Sequence, residues 1–134
     1  MSVSPFEEVI SSTRIGVVDD DLFIRKGVGR LLRAHGYSCA VYESGEAALA
    51  DPEFLRMECL VVDIQLGGIN GFELCERVHV LRPNVPYIFI TALSKSSLTD
   101  LSARVGDSIL LIKPFGEGEL LESIERMLAR RRNQ

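Results

Sequence analysis

No stretch of these 134 residues stays apolar for the roughly 20 positions that a membrane-spanning helix requires. The opening MSVSPFEEV also lacks the basic-then-apolar order of a secretory signal. Basic charge is in deficit: 15 Lys and Arg against 19 Asp and Glu leave a net charge of −4. The chain as a whole is therefore not drawn to nucleic acid or anionic lipid. The cluster Arg130-Arg131-Arg132 is the exception, and it stands where the last turn of a helix welcomes cations. Cysteine is scarce. Cys39, Cys59 and Cys75 are odd in number, far apart, and unaccompanied by a CxxC or a Cys/His cluster. Neither zinc nor a disulfide framework fits them, and they point to a reducing compartment, the cytoplasm. His35 and His79 stand alone inside helical patterns and read as structural or surface residues. Internal repeats and low-complexity segments are missing too. With 46% hydrophobic and 25% charged residues, the composition is that of one ordinary globular domain with a real core.

What is present is an alternation. Strand-like runs at 14–18, 38–42, 59–63, 87–91 and 108–112 are separated by helical patterns at 22–35, 46–50, 71–81, 98–105 and 117–131. IGVV, CLVV and YIFI are unbroken apolar runs, as expected of strands covered on both faces. Leu22, Val28, Leu31 and Leu32 fall on one stripe of the first helix, and Leu120, Leu121, Ile124, Met127 and Leu128 repeat at helical spacing in the last. Gly36, Pro83 and Gly106 supply stop signals. SKSSLTDLSARVGD is poor in helix formers, so its helix is predicted to be short and mobile. The pattern predicts an α/β fold, (βα)5: a doubly wound, five-stranded parallel sheet with helices on both faces. Residues 13–131 form the expected domain, between a flexible leader at 1–12 and a tail at 132–134.

In such a fold the working site lies at the carboxyl ends of the strands. There the sequence places Asp19-Asp20-Asp21 after strand one, Asp63 at the end of strand three, Thr91 at the end of strand four and Lys113-Pro114 after strand five. Singly each has an ordinary explanation, and Asp21 suits a helix N-cap. Together they collect carboxylates, a hydroxyl and an ammonium on one rim. Crowded carboxylates must raise a pKa, pair with the lysine or bind a cation. An all-oxygen set without His or thiolate selects Mg²⁺ or a similar hard ion, Mn²⁺ included. Lys113 and Thr91 supply the charge and the donor that a phosphoryl group requires, and an aspartate in such a pocket can act as nucleophile.

These residues, within VVDDD, LVVDIQLGGINGFEL, IFITAL and IKPF, resemble the receiver domain of two-component response regulators, the CheY-like family with a flavodoxin-like fold. The resemblance covers about residues 13–130. It implies strand order 2-1-3-4-5 and roles by position. Asp63 is the phosphoacceptor, Asp20 the direct metal ligand, and Asp19 its partner acting through a metal-bound water. Gln65 ligates the metal through its backbone carbonyl and helps bind the phosphoryl group. Thr91 is the switch hydroxyl, Lys113 the phosphoryl-binding lysine, and Ala92 offers its backbone N–H to the phosphoryl group. The Lys113–Pro114 bond resembles the family's cis peptide.

The sequence departs from the family at three places. Gly67 replaces the usual proline, with Gly68 and Gly71 beside it, so glycine there either loosens the loop or shapes a turn. Leu110 stands at the switch position, where an aromatic ring is usual. Leu93 is apolar where the family tunes loss of the phosphoryl group, which predicts slow self-dephosphorylation. The resemblance implies a bacterial signalling phosphoacceptor that catalyses only its own phosphorylation and dephosphorylation. It is served by a histidine kinase or phosphotransfer protein docking on the first helix around Ile24, Arg25 and Lys26. The chain is then either a stand-alone receiver or one whose output domain lies beyond it, and a homodimer through the 98–105 helix, strand five and the last helix is the pairing the resemblance implies. Leu98, Leu101 and Leu110 are candidates there for an apolar patch or for plain core. Direct nucleic-acid or membrane binding is not expected. The alternative is a receiver-like interaction module that works without phosphorylation. A free-standing Mg²⁺ phosphohydrolase fits less well, because Gln65 stands where such enzymes need a second aspartate.

Overall fold

A computed structural model of the chain describes residues 13–92 and 108–132. Strands β1 (Arg14–Val18), β2 (Ser38–Tyr42), β3 (Cys59–Asp63), β4 (Tyr87–Thr91) and β5 (Ile109–Ile112) form one parallel sheet. Its order is β2-β1-β3-β4-β5. The described helices are α1 (Leu22–Ala34), α2 (Gly45–Ala50), α3 (Gly71–Leu81) and α4 (Glu117–Arg132). The helix expected over 98–105, with Leu98 and Leu101 in it, lies outside the described residues, as does Leu93.

Burial explains why the strand runs look as they do. All five residues of the central strand β3 are buried, whereas the edge strands β2 and β5 mix exposed, half-buried and buried positions. Side chains alternate across the sheet, so each strand feeds two cores. Val18, Leu60, Val62 and Phe89 join the core that packs on α2 and α3. Ile15, Val17, Cys59, Val61, Ile88, Ile90 and Leu111 join the core closed by α1 and α4. The expected α4 stripe holds: Leu120, Ile124, Met127 and Leu128 are buried.

Several details differ from the sequence reading, among them helix ends that move by one residue at Ala34, Gly45 and Arg132. Strand β5 begins at Ile109 rather than Ser108. Leu22 is 48% exposed instead of lining the core, because at about 100° per residue it lies about 100° around α1 from the centre of the stripe that buries Val28 and Leu32. A short 3₁₀ helix, Pro52–Arg56, lies where the sequence pattern places no element. It has no helical stripe to betray it. Asp51 caps it by accepting the Glu53 N–H at 3.0 Å, Pro52 needs no donor partner there, and Phe54 anchors it in the core. Among the described residues no helix is long and apolar enough to cross a membrane.

Candidate functional site

All five strands present their carboxyl ends to one rim. The chain leaves β1 for β2 on one side and resumes at β3 on the other, so the topological switch lies between β1 and β3. Asp19 and Asp63 flank it. Val18 pairs with Val62, which sets Asp19 beside Asp63. Asp63 pairs with Ile90, and Thr91 with Ile112, which brings Thr91 and Lys113 next along the rim. Asp19, Asp63 and Thr91 are buried, and Asp20 is exposed. One carboxylate oxygen from each of Asp19, Asp20 and Asp63 lies within 4.8 Å of the others.

Lys113 ties the cluster together. Its Nζ donates a hydrogen bond to Asp63 Oδ2 at 3.0 Å and lies 2.9 Å from Asp19 Oδ2. The second approach is an ion pair without hydrogen-bond angles, and Asp19 Oδ2 is left buried with no hydrogen-bond partner. Such an atom is costly unless something else satisfies it. Each aspartate is otherwise held by its own loop. Asp19 Oδ1 accepts the Asp21 N–H at 2.8 Å, and Asp63 Oδ1 accepts the Gln65 N–H at 2.9 Å. Asp21 turns away to cap α1, accepting the Phe23 and Ile24 amides. Backbone ties continue across the rim: the Lys113 N–H donates to the Thr91 carbonyl at 2.7 Å, and the Lys113–Pro114 bond is cis.

The electrostatics follow from burial. Burial is the largest influence on Asp63 and pushes its pKa up; Asp19 adds repulsion, while the Gln65 N–H and Lys113 pull the other way without prevailing. Burial opposes the charge on Lys113, but contact with Asp19 and Asp63 more than offsets it and the net shift is upward. The three carboxylates outnumber the one ammonium that contacts them. With all donors oxygen and one buried oxygen lacking a hydrogen bond, these residues fit a hard divalent cation.

The remaining predicted positions sit around this centre. Gln65 and Ala92 are exposed, each just beyond a strand end. Leu110 is not on the rim: it pairs with Phe89 inside the sheet and packs, half-buried, against the core on the α2/α3 side. Three contributors escaped the sequence reading. Arg25 Nη1 donates to the Asp19 carbonyl at 2.8 Å, so this residue, expected to serve docking, also holds the acidic loop. Gly71 closes against β3, where a Cβ would lie 2.4 Å from the Asp63 carbonyl oxygen. Glu46, from α2, accepts the Ile69 N–H at 3.1 Å. None carries a local signal, because each acts on a partner far away in sequence or on backbone alone.

The family model for the response regulator receiver domain matches residues 15–125. The chain belongs to that family. Among similar proteins, the transcriptional regulatory protein FixJ of Rhizobium meliloti is 30% identical over 112 residues, covering 84% of this chain and 55% of FixJ. The response regulator MprA of Mycobacterium bovis is 32% identical over 119 residues, covering 89% of this chain and 52% of MprA. The CheY-like receiver domain protein of Methanospirillum hungatei superposes with a TM-score of 0.80 at 27% identity, covering 91% of this chain and 98% of that one. The receiver domain thus spans about half the length of the curated relatives it matches. It is the receiver of a two-component response regulator, a signalling domain rather than a conventional enzyme. The reading as a phosphorylation-independent module is not favoured.

Proposed function

We propose that residues 13–131 act as a receiver whose phosphoacceptor is Asp63. The observation that carries this is the Lys113 ammonium held 3.0 Å from Asp63 Oδ2 and 2.9 Å from Asp19 Oδ2, beside exposed Asp20. An Asp63 carboxylate oxygen attacks the phosphorus of a phosphohistidine donor; the O–P bond forms as the P–N bond breaks and the imidazole leaves. Lys113 holds charge on the phosphoryl oxygens, Thr91 supplies a hydroxyl, and the Ala92 and Gln65 segments supply further polar contacts. Asp20, Asp63, Asp19 and the Gln65 carbonyl would hold Mg²⁺ or Mn²⁺. The ion, when bound, supplies neutralisation of the charge that develops during transfer. The same pocket serves both the domain's own phosphorylation and its slow dephosphorylation.

The donor is a histidine kinase or phosphotransfer protein approaching the first helix. Lys26, exposed, is the clean probe of that surface, since Arg25 also holds Asp19. The output is a partner or a further domain, reached through the side of the sheet where β5 and Leu110 lie, with a homodimer through that side as one form of it. The scarce cysteines, buried at Cys59 and Cys75 and half-buried at Cys39, suit a cytoplasmic setting.

The test is intact-protein mass after incubation with acetyl phosphate and Mg²⁺, beside Asp63→Asn and a metal-free control. The expected result is one added phosphoryl group, absent from both controls. Failure of the unaltered protein to gain mass, under conditions that label an ordinary receiver, would return the phosphorylation-independent reading to first place.

A further inference from the structure

The loop that follows Asp63 is closed on itself. The Gly71 N–H donates to the Ile64 carbonyl at 3.0 Å, and a Cβ on Gly71 would meet the Asp63 carbonyl oxygen at 2.4 Å. Residues 64–71 therefore leave and return at the acceptor itself, with Gln65 N–H bonded to Asp63 Oδ1 on the way. The far side of this loop is held by another element. Glu46, in the first turn of α2, accepts the Ile69 N–H through Oε2 at 3.1 Å. Gly68 has φ +68°, and a Cβ there would come within 2.1 Å of the same oxygen, so the carboxylate fills the crook of the turn. Gly45 closes the contact from behind, where a Cβ would sit 3.3 Å from Ile69 Cβ. Gly67, by contrast, is exposed and a Cβ on it would meet nothing within 4 Å. The loop is thus anchored near Asp63 by its backbone ties and by buried Ile64 and Leu66, while its glycine-rich far side is held by the Glu46 carboxylate at Ile69.

We propose that Glu46 is a positioning residue for phosphoryl transfer: by fixing the Gly68–Ile69 crook it sets where the loop carries Gln65 against Asp63. The proposal rests on the reading of Asp63 as acceptor. Glu46 touches none of the reacting groups, and its charge works against the reaction, because a carboxylate near the rim repels an anionic donor. Removing it would speed transfer if charge were all that mattered. Positioning predicts the opposite sign.

The experiment compares Glu46→Ala, Glu46→Gln and the double variant Glu46→Ala/Gly67→Ala with the unaltered full chain. Two readouts are taken: the rate of mass gain from acetyl phosphate at saturating Mg²⁺, and hydrogen exchange at the Ile69 amide. Glu46→Ala is expected to slow transfer about fivefold, the equivalent of one lost hydrogen bond, and to speed Ile69 exchange roughly tenfold while β1 and β3 amides stay protected. Glu46→Gln, whose amide oxygen still accepts, keeps both values within about twofold of the unaltered chain. Gly67→Ala adds a methyl in open space, narrows the loop's freedom and recovers part of the lost rate. Transfer at the unaltered rate in Glu46→Ala, or faster, overturns the proposal. So does an equal loss in Glu46→Gln, and so does exchange that rises throughout the sheet rather than at Ile69. If the unaltered chain itself gains no mass, the acceptor reading fails and takes this proposal with it. That outcome is distinct from one in which the chain labels normally and Glu46→Ala labels just as fast.

Discussion

At Asp63 the fold holds a carboxylate in surroundings that favour its neutral form. Burial and Asp19 raise its pKa, and Lys113 and the Gln65 N–H only partly answer. In the folded state the side chain therefore keeps its proton to higher pH than in the unfolded chain. The consequence has a definite sign: its contribution to stability is largest in acid and is lost as pH rises from the ordinary carboxylate range through the raised folded value. Asparagine has the same shape and no charge to bury, and its Oδ1 still accepts from Gln65. In metal-free buffer Asp63→Asn is thus expected to unfold at higher urea than the unaltered protein at pH 7, with the gap shrinking toward pH 4. A midpoint at pH 7 equal to or below that of the unaltered chain would show that Lys113 compensates Asp63 fully. Residues at this scale were legible in the sequence when their place came from the end of a strand on the rim. The run Asp19-Asp20-Asp21 divides into a buried member, an exposed member and a cap, as the end of a strand followed by a helix start requires. Arg25 and Glu46 were not legible, since Arg25 bonds a backbone carbonyl, which any residue could supply, and Glu46 bonds the amide of Ile69 in a loop of another crossover.

Among the elements, the glycines show how little a residue type says without its surroundings. Gly27 lies inside α1, exposed, and a Cβ there would meet nothing within 4 Å. Alanine at this position should stabilise the protein by about 0.5–1 kcal/mol, the cost of glycine's freedom in a helix interior. Gly71 begins α3 at the point where the helix meets β3, and an added methyl would press on the Asp63 carbonyl and on Ile64 Cα at 2.9 Å, both of them backbone. Gly71→Ala should cost about 1–3 kcal/mol, as overpacking does, and should lower labelling at Asp63 as well. Urea unfolding of the two variants side by side checks the contrast; equal stability for both would mean that α3 can retreat from β3 at no cost. In sequence the two glycines differ only in their neighbours. The strands were easier, because unbroken runs such as CLVV must be covered on both faces to exist in water. The 3₁₀ turn at Pro52–Arg56 was harder, since one buried Phe54 makes no period.

For the whole molecule, the rim is a point where the chain's distant parts are joined. Asp19 follows β1, Asp63 ends β3 and Lys113 follows β5, so the cluster exists only when the sheet is assembled and its two cores are closed. A divalent cation that needs these carboxylates together binds the folded state and has almost no site in the unfolded one. Folding and binding are then linked, and stability rises with free ligand as RT ln(1 + [L]/Kd), about 2.7 kcal/mol at a hundredfold excess over Kd. Thermal unfolding followed across a Mg²⁺ titration should climb logarithmically once Kd is passed. Na⁺ at matched ionic strength controls for screening, which also relieves repulsion among Asp19, Asp20 and Asp63. Asp20 is the informative position, since it is exposed and its replacement leaves the buried pair with Lys113 untouched. Asp20→Asn should cost little stability without metal and should move the onset of the climb to at least about tenfold higher Mg²⁺, the loss of one charged ligand being worth about 1.4 kcal/mol or more. A climb that Na⁺ reproduces, or one that Asp20→Asn leaves in place, would reduce the acidic cluster to a screened patch and remove the metal from the transfer chemistry.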